Sequence, residues 1–101
     1  AVMANWDIMH PVRFAGVAMA EAFETIKPWI RHVHFHDGAP EGKGYPLKPV
    51  GTGQIDHAQA VRLLATLDVQ PYLSGEWINW DEPCEIYLPR ELATMRSYES
   101  R

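Results

Sequence analysis

Short apolar segments alternate with helix-patterned ones along the whole chain, and each apolar segment runs into a side chain that can bind a metal. Residues 1–6 lead into Asp7, residues 30–33 into His34, and residues 69–75 into Glu76. A strand–helix–strand order of this kind implies parallel strands joined by right-handed crossovers, with helices laid on the sheet. In an α/β barrel, side chains at the C-terminal ends of the strands converge on one face. An aspartate, an imidazole and a glutamate delivered there form a mixed oxygen and nitrogen ligand set, suited to Mn²⁺, Mg²⁺, Co²⁺ or Zn²⁺. The set contains no thiolate, which argues against a structural zinc site.

The segments between follow the same logic. Residues 1–7 show little polar alternation, as expected of a strand buried on both faces. His10-Pro11 and the residues up to Gly16 read as a loop. Over residues 17–28, Met19, Ala22, Phe23 and Ile26 recur at helical spacing, and Pro28 limits that helix. Residues 30–36 read as a strand with Ile30, His32, His34 and His36 on one face and Val33 and Phe35 on the other. Gly38, Gly42, Gly44, Gly51 and Gly53 mark residues 38–54 as a long loop, in which the amides of Gly51-Thr52-Gly53 could meet a phosphate or simply form a turn. Asp56 with Gln59 predicts a capped helix to about Leu67, with Ala60, Val61, Leu64 and Leu67 buried. Residues 70–76 form the third strand, and Tyr72, Ser74 and Glu76 share a face. A Trp-rich loop precedes a last helix in which Pro89 suits the first turn and Leu88, Leu92 and Met95 line one side.

Size bounds the architecture. A closed eight-stranded α/β barrel takes about 250 residues, whereas this chain has 101. The expectation is one α/β unit over residues 1–101, a partial TIM barrel of three parallel strand–helix units that does not close by itself. It would be the C-terminal part of a longer protein or a chain completed by a partner. Two open sheet edges favour self-association or pairing with the remainder of a barrel. The net charge of −4, with nine scattered Lys and Arg residues, argues against a nucleic-acid binder. The one cysteine, Cys84, cannot form an internal disulfide and fits the cytoplasm. Asp7, His10 and Arg13 interrupt the N-terminal apolar run, so it does not read as a signal peptide, and nothing is apolar enough to span a membrane.

Four stretches, in order, resemble motifs of the sugar phosphate isomerase/epimerase family, the xylose isomerase-like TIM barrels. They are Trp6-Asp7-Ile8-Met9-His10-Pro11, Ile30 to Gly38, Gly51 to Asp56, and Tyr72-Leu73-Ser74-Gly75-Glu76-Trp77. The resemblance covers nearly the whole chain and implies the sixth, seventh and eighth strand–helix units of the barrel. It implies a divalent metal held by Asp7, His34 and Glu76, with a further glutamate from a fifth strand that this chain lacks. It places His10 against substrate oxygens. His36 stands where many relatives carry Lys, and no Arg follows His34 at the position some epimerases use; both departures leave the sugar open.

The chemistry implied is isomerisation or epimerisation of a sugar or sugar phosphate. Open metal positions would take a carbonyl and a neighbouring hydroxyl, and the cation would stabilise the enediolate left when a proton departs. Glu76 would accept that proton and His10 would orient or protonate a substrate oxygen. His36 and Trp77 would contact substrate, and Trp77 with Trp80 would exclude water. Without the fifth-strand glutamate, the 101-residue chain alone would be inactive. Two other readings compete. One is an inactive or partner-completed barrel segment. The other is an endonuclease IV-like metal hydrolase, which the acidic balance disfavours.

Overall fold

The computed structural model describes residues 2–99. Three parallel strands form the central sheet: β1 (Ala4–Asp7), β2 (Ile30–Phe35) and β5 (Tyr72–Gly75), in the order β1-β2-β5. Between β1 and β2 lie α1 (His10–Ala15), α2 (Met19–Ile26) and a 3₁₀ turn at Lys27–Trp29. Between β2 and β5 lie a small antiparallel ribbon, β3 (Asp37–Gly38) with β4 (Leu47–Lys48), and α3 (His57–Leu64). The 16-residue α4 (Cys84–Glu99) follows β5. The sheet is a parallel, three-stranded, open one, as expected of part of a TIM barrel.

The register sorts the two faces of the sheet. Trp6, Val33 and Leu73 are paired across it, and so are Asp7, His34 and Ser74. The first row faces the helices. Trp6, Val33 and Phe35 are buried there with Phe23 and Met19 of α2, Ala60 and Leu64 of α3, and Met95 of α4. Met19 and Phe23 are buried and Ala22 and Ile26 partly so, which matches the helical spacing read from the sequence.

Several local expectations need correction. Residues 10–15 form a helix, not a loop. Pro11 sits in its first turn, where a missing N–H has no intrahelical partner to lose, and Gly16 ends it in the left-handed conformation at φ 61°. Ile30 is fully buried in the core with Val33 and does not share the histidine face. The pairing runs Ala4 to Ile30 and then Asn5 to His32, so Arg31 is an extra residue on β2. An odd insertion inverts which side each preceding residue faces. In α4, Pro89 lies inside the helix, and the buried positions are Glu91 and Met95. Leu88 and Leu92 are about half exposed, at 46% and 47%. Asp56 caps α3 as expected, accepting the Gln59 N–H at 2.9 Å.

Candidate metal centre

Three adjacent strand ends supply the site. Asp7 is the last residue of β1, His34 lies near the end of β2, and Glu76 follows β5. Asp7 is paired with His34, and the Glu76 N–H donates to the Phe35 carbonyl at 3.0 Å, which carries the β2–β5 ladder one residue further. One ligand atom from each of Asp7, His34 and Glu76 lies within 4.8 Å of the other two. The His34 Nδ1 touches a Glu76 carboxylate oxygen, and the Asn5 amide nitrogen lies 3.3 Å from the same ring.

Asp7 is the best-determined member. Its Oδ1 accepts the Met9 N–H at 3.0 Å and the His10 N–H at 3.2 Å, satisfying backbone donors at the start of α1. The same oxygen lies 2.8 Å from His36 Nε2. Burial pushes this carboxyl up, but the His36 hydrogen bond and the charges of His36 and His10 outweigh burial and hold it below its usual 3.8. Oδ2 is buried and accepts no hydrogen bond, with His10 Nε2 3.4 Å away. A buried carboxylate oxygen that makes no hydrogen bond is uncommon, and a cation is one group that completes it. Asp7, His34 and Glu76 therefore fit a divalent ion. Asp7, His10 and His36 form a second group with ligand atoms within the same 4.8 Å limit. His36 and Asp7 are thus in direct contact, a link the sequence did not disclose.

Below this site the 38–54 segment is ordered by one side chain. Asp37, fully buried, accepts four backbone N–H groups: Gly38 at 2.8 Å, Gly51 at 3.0 Å, Gly53 at 2.9 Å and Ile55 at 3.1 Å. The amides of Gly51 and Gly53 are thus taken by a carboxylate and are not offered to a phosphate. Gly53 is required for space as well, since a Cβ there would overlap Asp37. His57, buried beneath, lies 2.9 Å from the His36 carbonyl through Nε2. Burial lowers its proton affinity, against the pull of Asp37 and the carbonyls of His36 and Ile55. An acidic residue at a strand end followed by widely spaced glycines is the signal that could have revealed this anchor.

The tryptophans lie elsewhere than the sequence reading put them. The Trp77 ring covers Gly75, where a Cβ would collide with it, and packs on the core and on Tyr87 at 5.4 Å. Trp80 stacks on Tyr87 at 4.9 Å and beneath the Arg90 guanidinium at 5.1 Å. Arg90 is tied in turn to Glu82 by two hydrogen bonds, of 2.9 and 2.7 Å. A cleft of about 300 Å³ does open beside the metal ligands, and His10, Arg13, His36, Tyr45, Glu76 and Asn79 line it. A somewhat larger cleft of about 390 Å³ lies at the other ends of the strands, near Lys27, Arg31 and Val69. It touches neither group of candidate ligands, so the chemistry belongs to the smaller cleft.

Among solved structures the chain is similar to the xylose isomerase domain protein from Planctomyces limnophilus. The TM-score is 0.75 at 17% identity, over 97% of this chain and 36% of that one. The fold is that of a partial xylose isomerase-like TIM barrel. The chain thus spans little more than a third of that protein's length. No protein-family profile and no curated protein matches the chain. Among the described residues no helix is long and apolar enough to cross a membrane.

Proposed function

We propose that this chain contributes three metal ligands and part of the acid–base machinery to a divalent-metal-dependent isomerase or epimerase acting on a sugar or sugar phosphate. One observation carries the reading. Asp7, His34 and Glu76 come from three adjacent parallel strand ends to within ligand distance of one another, and the buried Asp7 Oδ2 makes no hydrogen bond. The xylose isomerase-like fold supports the same reaction class.

In this reading Asp7, His34 and Glu76 hold Mn²⁺, Mg²⁺, Co²⁺ or Zn²⁺. When bound, the metal supplies a Lewis acid that stabilises negative charge growing on two neighbouring substrate oxygens. Glu76, on the wall of the cleft, takes the proton from the hydroxyl-bearing carbon next to the carbonyl. His10, exposed at the start of α1, donates to a substrate oxygen. His36 contacts substrate from the cleft wall and holds Asp7 through Oδ1, while Oδ2 is the oxygen turned to the metal. Trp77 acts from behind, by fixing the turn that presents Glu76. The opposing acid–base carboxylate comes from outside these 101 residues, either from further barrel strands or from a partner. The open outer edges of β1 and β5 and the exposed Val2, Met3 and Tyr72 beside them favour such completion.

Calorimetric titration with Mn²⁺ tests the assignment. Asp7→Ala, His34→Ala and Glu76→Ala should each weaken binding at least tenfold, while His32→Ala should not. Undiminished affinity in the three variants would end the reading.

A further inference from the structure

The function proposed above leaves the substrate class open, and one cation on the cleft narrows it. Arg13 follows His10 by three residues on α1, a spacing that puts both on the same side of the helix. Because α1 starts three residues after Asp7, that side borders the metal ligands. Both residues line the 300 Å³ cleft together with Glu76.

Arg13 is exposed at the mouth of that cleft and is braced by two rings. Its guanidinium lies 4.7 Å from the centre of the Tyr45 ring and 4.6 Å from that of Phe14. Tyr45 is itself fixed, because its hydroxyl donates to Gln54 Oε1 at 2.7 Å, and its ring closes on Gly38, where a Cβ would stand 2.9 Å from Cδ1. Stacking on two rings orients a guanidinium plane while leaving its N–H groups unused.

The charge has no internal partner. Lys27 pairs with Glu24, Lys48 with Glu41, and Arg90 with Glu82, but no carboxylate among the described residues lies within ion-pair distance of Arg13. His10 and His36 line the same cleft with their Nε2 atoms turned to Asp7. A stacked, unpaired guanidinium facing a cleft is suited to a planar, bidentate grip on an oxyanion.

We propose that Arg13 is an anion subsite of this cleft, so that the sugar substrate carries a phosphate monoester or a carboxylate. This rests on the isomerase reading for the word sugar, and on the cleft alone for the anion. The test uses the full chain with Mn²⁺ present, and calorimetry with a ketopentose phosphate, a uronic acid, the neutral ketopentose and inorganic phosphate.

At least one charged sugar should bind tenfold or more tightly than the neutral one. Arg13→Met should abolish that preference while leaving neutral-sugar and Mn²⁺ affinity within twofold, and Arg13→Lys should restore part of it. Dependence confined to the phosphate ester, or to the uronic acid, identifies the anion. If Arg13→Met leaves charged-sugar affinity unchanged, or weakens the neutral sugar equally, the subsite is overturned. Loss of inorganic phosphate binding in Arg13→Met, together with unchanged Mn²⁺ binding in the Asp7, His34 and Glu76 variants, would keep the subsite and remove the isomerase.

Discussion

Replacing Asp37 by Asn changes one oxygen into an NH₂ group and little else in shape. The native carboxylate divides its work evenly: Oδ1 accepts from Gly38 and Ile55, and Oδ2 from Gly51 and Gly53. The amide keeps one oxygen and turns its NH₂ against the two backbone N–H groups that the other oxygen accepted. A hydrogen bond to a charged group contributes about 1.5–3 kcal/mol, so two lost bonds come to about 3–6 kcal/mol. Gly51 is exposed and Gly53 partly so, and water can reach their amides once the loop opens. That discounts the loss to about 2–4 kcal/mol, with released amides rehydrated in place of staying unpaired. At 1.4 kcal/mol per tenfold, local opening of the segment should become roughly thirtyfold to a thousandfold more frequent. Amide hydrogen exchange reads this directly. Gly51, Gly53 and Ile55 should lose protection by that factor, with Ala60 and Leu64 of α3 as references that change less. Unchanged exchange at Gly53 and Ile55 would refute the claim that this carboxylate orders the loop.

Other perturbations probe other links. Gly75→Ala places a methyl group where the Trp77 ring lies, and the ring cannot yield without leaving the core; near-ultraviolet circular dichroism should show the displaced indole, and an unaltered spectrum would contradict the packing. Asp56→Ala removes the acceptor for the Gln59 N–H and should lower stability by about 1 kcal/mol in urea unfolding, whereas Asp56→Asn should lose little. The hydrogen bond from Arg90 holds the Glu82 carboxyl below its usual 4.5, so any stability the pair gives is complete above that value and disappears as pH falls beneath it. A carboxyl titration followed by NMR should place the Glu82 midpoint under 4.5 and return it there in Arg90→Met; a native midpoint at or above 4.5 contradicts the bridge.

The strand–helix order, the metal-ligating residue at each strand end and the Asp56 cap were legible because they depend on spacing and on neighbours a few residues away. Met19 and Phe23 repeat at helical period and are buried together. Asp7, His34 and Glu76 each close an apolar run, and parallel pairing in near register is enough to bring them together. The misreadings share a cause. Ile30 was assigned to the wrong face because the extra residue Arg31 is visible only in its pairing with β1. Leu88 and Leu92 looked like a buried stripe, yet α4 turns Glu91 inward, where its Oε1 accepts the Val50 N–H at 3.0 Å. The order inside the loop over residues 38–54 was hidden because its organiser, Asp37, lies outside it in sequence.

Local periodicity and the identity of each strand-end residue were therefore determined by the sequence alone, since the backbone's two periods decide which neighbours share a side. The tertiary structure alone decided which oxygen of Asp7 takes the backbone amides, that Trp77 turns back over Gly75, and that Arg13 stacks on Tyr45 without a carboxylate partner. Each of these depends on contacts between residues distant in the chain, and close packing settles such contacts by shape and hydrogen-bond satisfaction, which no single stretch of sequence contains.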